Sequence, residues 1–328
     1  MSPADAATVA AVLTWADLRG IDGHGVVRLP RYLEFIERGD LDPKAQPEIE
    51  SETPATFLLN ARRAAGAVAM KKAVAKACER AEVAGACFGL VRSTTHVGAI
   101  GRYAHEAVEK GFAVLMAAAG PPLMAYHGAR VPSLSTSPLA IGVPGAESRP
   151  VILDIATSTV SMGKINQARA RGQSIPEGWA LAEDGSPTTE PKPGVIPLPM
   201  GGPKGSGLSL MIELLASVMA STPILSARLG PEKEKRHLQN AFVIALKISA
   251  FRPVEGFRSD VEELVAILKK LPPGQGFDEI LLPGERGGRV EAVRRQTGIP
   301  IPSATWEALA QTAVAENVQL PQLISSEG

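Results

Sequence analysis

Val91-Arg-Ser-Thr-Thr-His-Val-Gly-Ala-Ile-Gly-Arg-Tyr103 is the stretch from which the fold of this chain can be read. Ahead of it, Ala86-Cys-Phe-Gly-Leu-Val91 is a short apolar run of strand length. Behind it, residues 100–110 have the spacing of an amphipathic helix, and Phe112-Ala-Val-Leu-Met116 reads as a second buried strand. His96 therefore falls where a strand gives way to a helix, in a turn rich in Ser, Thr and Gly. In α/β proteins ligands gather at strand ends beside helix N-termini. Imidazole is also the side chain best able to take and return a proton near neutral pH. A histidine that only caps the helix fits the same local pattern, and both readings stand at this point.

The pattern continues in both directions. Upstream, residues 6–19 predict a helix stopped by Gly20, 32–38 a helical turn or two, 54–60 a strand and 64–83 a long alanine-rich helix. Downstream, Pro138-Leu-Ala-Ile-Gly-Val-Pro144 and Val151-Ile-Leu-Asp-Ile-Ala156 predict strands. Residues 208–220 predict a helix apolar nearly all round, and a helix of that kind is expected to be buried. Strands over 241–248 and 279–282 follow, with helices over 258–270, 288–296 and 304–316. Residues 166–199 lack periodicity and are rich in Pro, Gly and Thr; such a stretch is usually functional or lid-like. The expectation is an α/β protein of two domains, with residues 111–235 inserted between 1–110 and 236–328.

Composition excludes several classes. The 34 acidic and 34 basic residues cancel, so neither nucleic acid nor an anionic membrane is recommended as a partner. No run of about 18 apolar residues predicts a membrane span. Cys78 and Cys87 lack metal or redox spacing and are expected to be free, buried thiols in a reducing compartment. Met1-Ser-Pro-Ala-Asp5 has no basic targeting region, so a cytoplasmic location is expected. The five histidines show no metal-ligand spacing, and no metal is expected. No G-x-G-x-x-G follows a strand, which argues against a Rossmann dinucleotide site.

Three constellations can carry chemistry. In Gly201-Gly-Pro-Lys-Gly-Ser-Gly207, glycines allow close backbone approach, a helix start adds partial positive charge, and Lys204 adds a full one. An anion site is favoured over a plain tight turn. Asp154 interrupts an apolar strand, where a carboxylate either bonds a ligand hydroxyl or caps the following turn. In Asp22-Gly-His-Gly-Val-Val-Arg28, His24 and Arg28 supply donors, and Arg28 suits bidentate capture of a carboxylate. Tyr32 lies four residues further on, so one helical face can hold it beside Arg28. A surface ion pair at a loop-to-helix entry is the competing reading. Tyr126 and His127 have no assigned role.

Taken together, Asp22-Gly-His-Gly-Val-Val-Arg-Leu-Pro-Arg-Tyr32, Thr95-His-Val-Gly-Ala-Ile-Gly101 and Gly201-Gly-Pro-Lys-Gly-Ser-Gly-Leu208 resemble the malate/L-lactate dehydrogenase family of the second type. Leu153-Asp-Ile-Ala-Thr-Ser158, Ile175-Pro-Glu-Gly-Trp179 and Leu282-Pro-Gly-Glu285 resemble further blocks of it, in the same order along nearly the whole chain. The resemblance implies a non-Rossmann NAD(P) fold and a hydride exchange between NAD or NADP and a small 2-hydroxy or 2-oxo acid. It implies His96 as the proton donor and acceptor, with His24, Arg28 and Tyr32 toward the substrate. It implies Gly120, Asp154, Ile155, Ala156, Gly202, Lys204, Gly284 and Glu285 toward the cofactor. Residues 111–235 become the cofactor part, the remainder the substrate and dimerisation part, and a homodimer or larger homo-oligomer is expected.

Departures from the family pattern are visible. Gly23 stands where serine is usual, Ser135-Thr-Ser-Pro138 replaces a Gly-Thr-Asn-Pro block, and Gly120 replaces a polar residue. A reductase of cyclic 2-imino acids, acting on C=N in place of C=O, is the alternative within the enzyme class. A catalytically weak nucleotide-binding homologue is the alternative outside it.

Overall fold

The computed structural model describes residues 1–145, 149–231 and 236–322. Helix α1 (Pro3–Leu18) starts on Ser2, whose side chain accepts from the Asp5 amide, with proline in its first turn. Two 3-10 turns, Asp22–His24 and Val26–Arg28, lead into α2 (Leu29–Glu37). A seven-stranded mixed sheet follows: β1 (Glu48–Glu52), β2 (Thr56–Asn60), β3 (Ala86–Thr94), β4 (Phe112–Ala119), β7 (Leu139–Val143), β8 (Val151–Ile155) and β12 (Gln239–Lys247). Their order is β1-β2-β3-β12-β4-β7-β8, and β2 with β3 is the parallel pair.

One face of the sheet carries α3 (Gly66–Ala84) and α4 (Gly101–Val108). Ala69, Ala73, Ala77 and Ala81 of α3 are fully buried, and their small side chains let the helix axis approach the strands. Gly85 ends α3 with φ +82°, a conformation that favours glycine. The main core joins these helices, α1 and the strands, and holds both free cysteines.

Smaller elements sit beyond the sheet. β5 (Met124–Ala125) pairs β6 (Pro132–Leu134), while β9 (Ala180–Leu181), β10 (Pro187–Thr188) and β11 (Ile196–Pro197) make a second small sheet. Helix α5 (Met162–Ala170) occupies the start of the stretch that lacked periodicity. Val160, Ile165, Ile175, Ala180 and Val195 give that stretch a core of its own. Helices α6 (Pro203–Glu213), α7 (Ile224–Leu229), α8 (Val254–Lys269), α9 (Glu285–Thr297) and α10 (Ser303–Ala315) complete the chain. No helix among the described residues is long and apolar enough to cross a membrane.

Two expectations meet a different structure. Residues 279–282 form no strand: the Leu282 amide donates to the Glu285 carboxylate and the Ile280 carbonyl accepts from Lys269, so side chains satisfy this backbone. The apolar helix after Lys204 continues from α6 into a π-helical turn at Leu214–Val218 and is only half covered. Ile212, Ala216 and Ala220 pack on Leu90, Ala117, Ala119 and Phe242, but Met211, Val218 and Met219 are about half exposed. β4, β7 and β8, from residues 111–235, hydrogen-bond in the same sheet as β3 and β12.

Candidate functional site

His96 stands between the end of β3 and the start of α4, and its backbone is held on every side. The Val97 amide donates to Gln239 Oε1 at 3.0 Å, and the Tyr103 hydroxyl donates to the Val97 carbonyl at 2.6 Å. The Gly66 amide donates to Thr95 Oγ1 at 3.2 Å. A Cβ on Gly66 would lie 2.3 Å from the His96 carbonyl oxygen, so only glycine lets α3 begin this close.

The imidazole is fixed as firmly as its backbone. Its Nδ1 shares a 2.7 Å hydrogen bond with the Tyr32 hydroxyl, and its face stacks on the His24 ring with centroids 5.1 Å apart. Nε2 has no hydrogen-bond partner among the described residues and is not sealed from solvent. Burial, then the neighbouring His24, Arg28 and His237, hold the His96 pKa well below its ordinary value. Burial and Arg28 likewise bring His24 down to about 4. Both rings are therefore neutral at pH 7. The buried Nδ1 of His24 is left without a partner.

Arg28 closes the 3-10 turn with its Nε donating to the Gly23 carbonyl at 2.6 Å. That bond aims the guanidinium and leaves both terminal amino groups for a ligand. The turn itself is braced by Asp17, whose carboxylate accepts from the Val26 amide at 2.8 Å. A Cβ on Gly25 would fall 1.7 Å from Asp17 Oδ1, so glycine is required there. Burial raises Asp17 to about 6 despite that bond. Arg294 of α9 donates to the Asp17 carbonyl and pairs with the Asp22 carboxylate, which ties the far end of the chain to this loop. Gly23 faces Gly163 of α5, so close that a Cβ would sit 3.3 Å from the Gly163 Cα.

A second group of predicted residues lies along β8 and the start of α6. Asp154 Oδ2 accepts from the Gly101 amide at 2.8 Å and so caps α4, and burial raises its pKa to about 6. Ile155 and Ala156 lead to Thr157, whose buried Oγ1 has no partner. Gly205 packs on this segment, since a Cβ there would be 2.5 Å from the Thr157 carbonyl oxygen. Gly202, at φ +59°, packs on His127, which gives that histidine a place. Lys204 is exposed, and no described residue pairs with it. In the turn around it, the amides of Lys204, Gly205 and Ser206 donate to the carbonyls of Gly201, Met200 and Gly202.

Gly120 lies beside the His96 supports, with Gln239 and Ser135 as neighbours. Gly284 reaches the other end of β8, against the Ile152 backbone, and its carbonyl accepts from Arg19. The Glu285 carboxylate is engaged by Lys269, Arg289 and the Leu282 amide. These contacts clasp the start of α9.

Asp17, Tyr103, Gln239 and Arg294 were not singled out by sequence. Asp17 had a signal: with Val9 and Leu13 it continues an i, i+4 stripe that is otherwise apolar, where a carboxylate needs a partner. Gln239 had none.

The sequence signature of the family described as malate/L-lactate dehydrogenase matches residues 1–310. L-sulfolactate dehydrogenase of Methanocaldococcus jannaschii is 34% identical over 310 residues, 94% of this chain and 89% of that protein. Delta(1)-pyrroline-2-carboxylate reductase of Ancylobacter novellus is 31% identical over 312 residues, 93% of this chain and 89% of that protein. The crystal structure of malate dehydrogenase from Entamoeba histolytica superposes with a TM-score of 0.91 at 28% identity, covering 98% of this chain and 94% of that one.

Proposed function

The chain belongs to the malate/L-lactate dehydrogenase family, and from that premise we propose that it exchanges a hydride between a nicotinamide dinucleotide and a small 2-hydroxy or 2-oxo acid. When bound, NAD or NADP supplies or accepts the hydride at C2. Asp154, Ile155, Ala156 and Thr157, together with Gly202 and Lys204, are the residues that would hold it. The unpartnered Thr157 hydroxyl and the unpaired Lys204 ammonium, on segments packed against each other, suit the polar groups of a dinucleotide. This seat lies on a mixed sheet and needs no Rossmann fingerprint.

The protein's own part is to grip, orient and move one proton. Arg28, anchored through Nε, takes the carboxylate on its two free amino groups. Neutral His96 takes the hydroxyl proton on Nε2 during oxidation and returns it during reduction. Fixing that ring by Tyr32, His24 and the held Val97 peptide removes the reorientation that would otherwise precede proton transfer. The observation that carries the reading is that substrate loop and strand end close on one neutral imidazole. Self-association is proposed on the uncovered face of α6 and the π-helical turn that continues it, where Met211, Val218 and Met219 stand exposed.

A second substrate class, the cyclic 2-imino acids, is favoured by the likeness to delta(1)-pyrroline-2-carboxylate reductase over nearly the whole chain. A single assay separates the two. Oxidation of the reduced nicotinamide is followed by its near-ultraviolet absorbance with pyruvate, oxaloacetate, sulfopyruvate and piperideine-2-carboxylate. Turnover of an open-chain 2-oxo acid supports the first reading, turnover of the imine alone supports the second, and none with any of them refutes both.

A further inference from the structure

We propose that Tyr32 is a positioning residue that sets the tautomer of His96, accepting a hydrogen bond from Nδ1–H so that the exchangeable lone pair lies on Nε2. The proposal rests on the reading of His96 as the proton carrier and deepens it. Sequence pattern placed Tyr32 beside Arg28 as a grip on the substrate, but in the fold its hydroxyl is spent on His96 at 2.7 Å. That bond is the one polar contact the imidazole makes among the described residues. Neutral imidazole carries one ring proton, and its site decides what the ring can do. With the proton on Nε2, the nitrogen facing the open side of the site has no lone pair to receive a substrate proton. With it on Nδ1, Nε2 gains and loses a proton while the bond to Tyr32 persists in both states.

A hydroxyl suits this task better than a carboxylate would. A carboxylate at Nδ1 would favour the imidazolium and raise the pKa. The neutral phenol, whose own ionisation is pushed up by burial, fixes the proton without holding the ring in its charged form. The other contacts on the ring do not compete. His24 meets its face, and Thr95, Gln239 and Tyr103 hold the backbone on either side. Tyr32 is thus the one polar partner of the ring among the described residues; its hydroxyl can donate or accept, and the lone pair that proton transfer needs on Nε2 assigns it the acceptor role.

Nitrogen-15 chemical shifts of histidine-labelled protein at pH 7.5, with His96 assigned by its loss in His96→Ala, read the tautomer without any turnover. The proposal expects a protonated Nδ1 and a bare Nε2 in the native protein, and a shift toward the Nε2–H form in Tyr32→Phe. An Nε2–H tautomer in the native protein, or no change in Tyr32→Phe, overturns it. Kinetics supply the second arm. Tyr32→Phe should lower kcat roughly 10- to 100-fold, the range for a hydrogen bond to a group that becomes charged, with KM for the acid little altered. In a His96→Ala background the same change should cost nothing further. Losses that multiply in the double variant would place Tyr32 on the substrate and overturn the proposal. Near-native turnover of His96→Ala would instead remove the proton-carrier reading, while the nitrogen shifts would still judge the tautomer.

Discussion

The imidazole rings of His24 and His96 lie face to face, with centroids 5.1 Å apart and planes 5° from parallel. Two rings so placed beside Arg28 cannot both carry charge at neutral pH, and burial depresses each. The positive charge available to an acid at this site is therefore that of Arg28.

Replacing Arg28 by Lys keeps the charge and loses the geometry. The Nε bond to the Gly23 carbonyl disappears, and so does the planar pair of amino groups it aims. KM for the acid substrate should rise on the order of tenfold or more, with cofactor Kd unchanged. Steady-state kinetics beside a cofactor titration checks this. Equal damage to both constants would make Arg28 a structural residue.

Lys204 carries the anion reading of its turn alone, because the neighbouring amides are bonded to carbonyls of that turn. Lys204→Ala should raise cofactor Kd about tenfold, in keeping with ~1.5–3 kcal/mol for a charge-assisted contact. The effect should shrink at high salt, since the amine is exposed. An unchanged Kd by fluorescence titration would take the phosphate contact away from this turn.

Asp17 gives a pH signature with a defined sign. Burial raises its folded-state pKa to about 6, above the unfolded value, so the folded state binds the extra proton between pH 6 and 4. The carboxylate therefore penalises stability above pH 6, and the penalty is relieved as pH falls through that window. Asp17→Asn keeps an oxygen for the Val26 amide and removes the charge. Its stability relative to the native protein should be greatest near pH 8 and smaller near pH 4, by a margin on the order of 2–3 kcal/mol for a shift of about two units. Urea melts of both proteins at the two pH values measure that margin. A difference independent of pH would contradict the assignment.

Much of this arrangement is legible in the sequence because it is local. A strand-length run, a turn and a helical period frame His96, and the four-residue step from Arg28 to Tyr32 brings both to one loop-helix junction. What escaped was long-range. The seven-stranded order places β12 between β3 and β4, which no local period records, and this is how Gln239 comes to hold the Val97 amide. The run at 279–282 has the composition of a strand, but the Lys269 and Glu285 side chains bond its backbone and it joins no sheet. The helix after Lys204 shows the converse case: apolar residues all round signalled contact on every face, and one face stays exposed among the described residues. The glycines after Met200 are ambiguous for a different reason, since the same residues that open a backbone to a ligand also let it bond to itself.

Turnover of His96→Ala tests the central claim most directly, measured in the steady state beside a cofactor titration and a melting curve. Losing the proton carrier should cost roughly 10²–10⁴-fold in kcat. Cofactor affinity should survive, because Asp154, Thr157 and Lys204 lie on other segments of the chain. A His96→Ala protein that melts normally, binds cofactor and keeps near-native turnover would contradict the account.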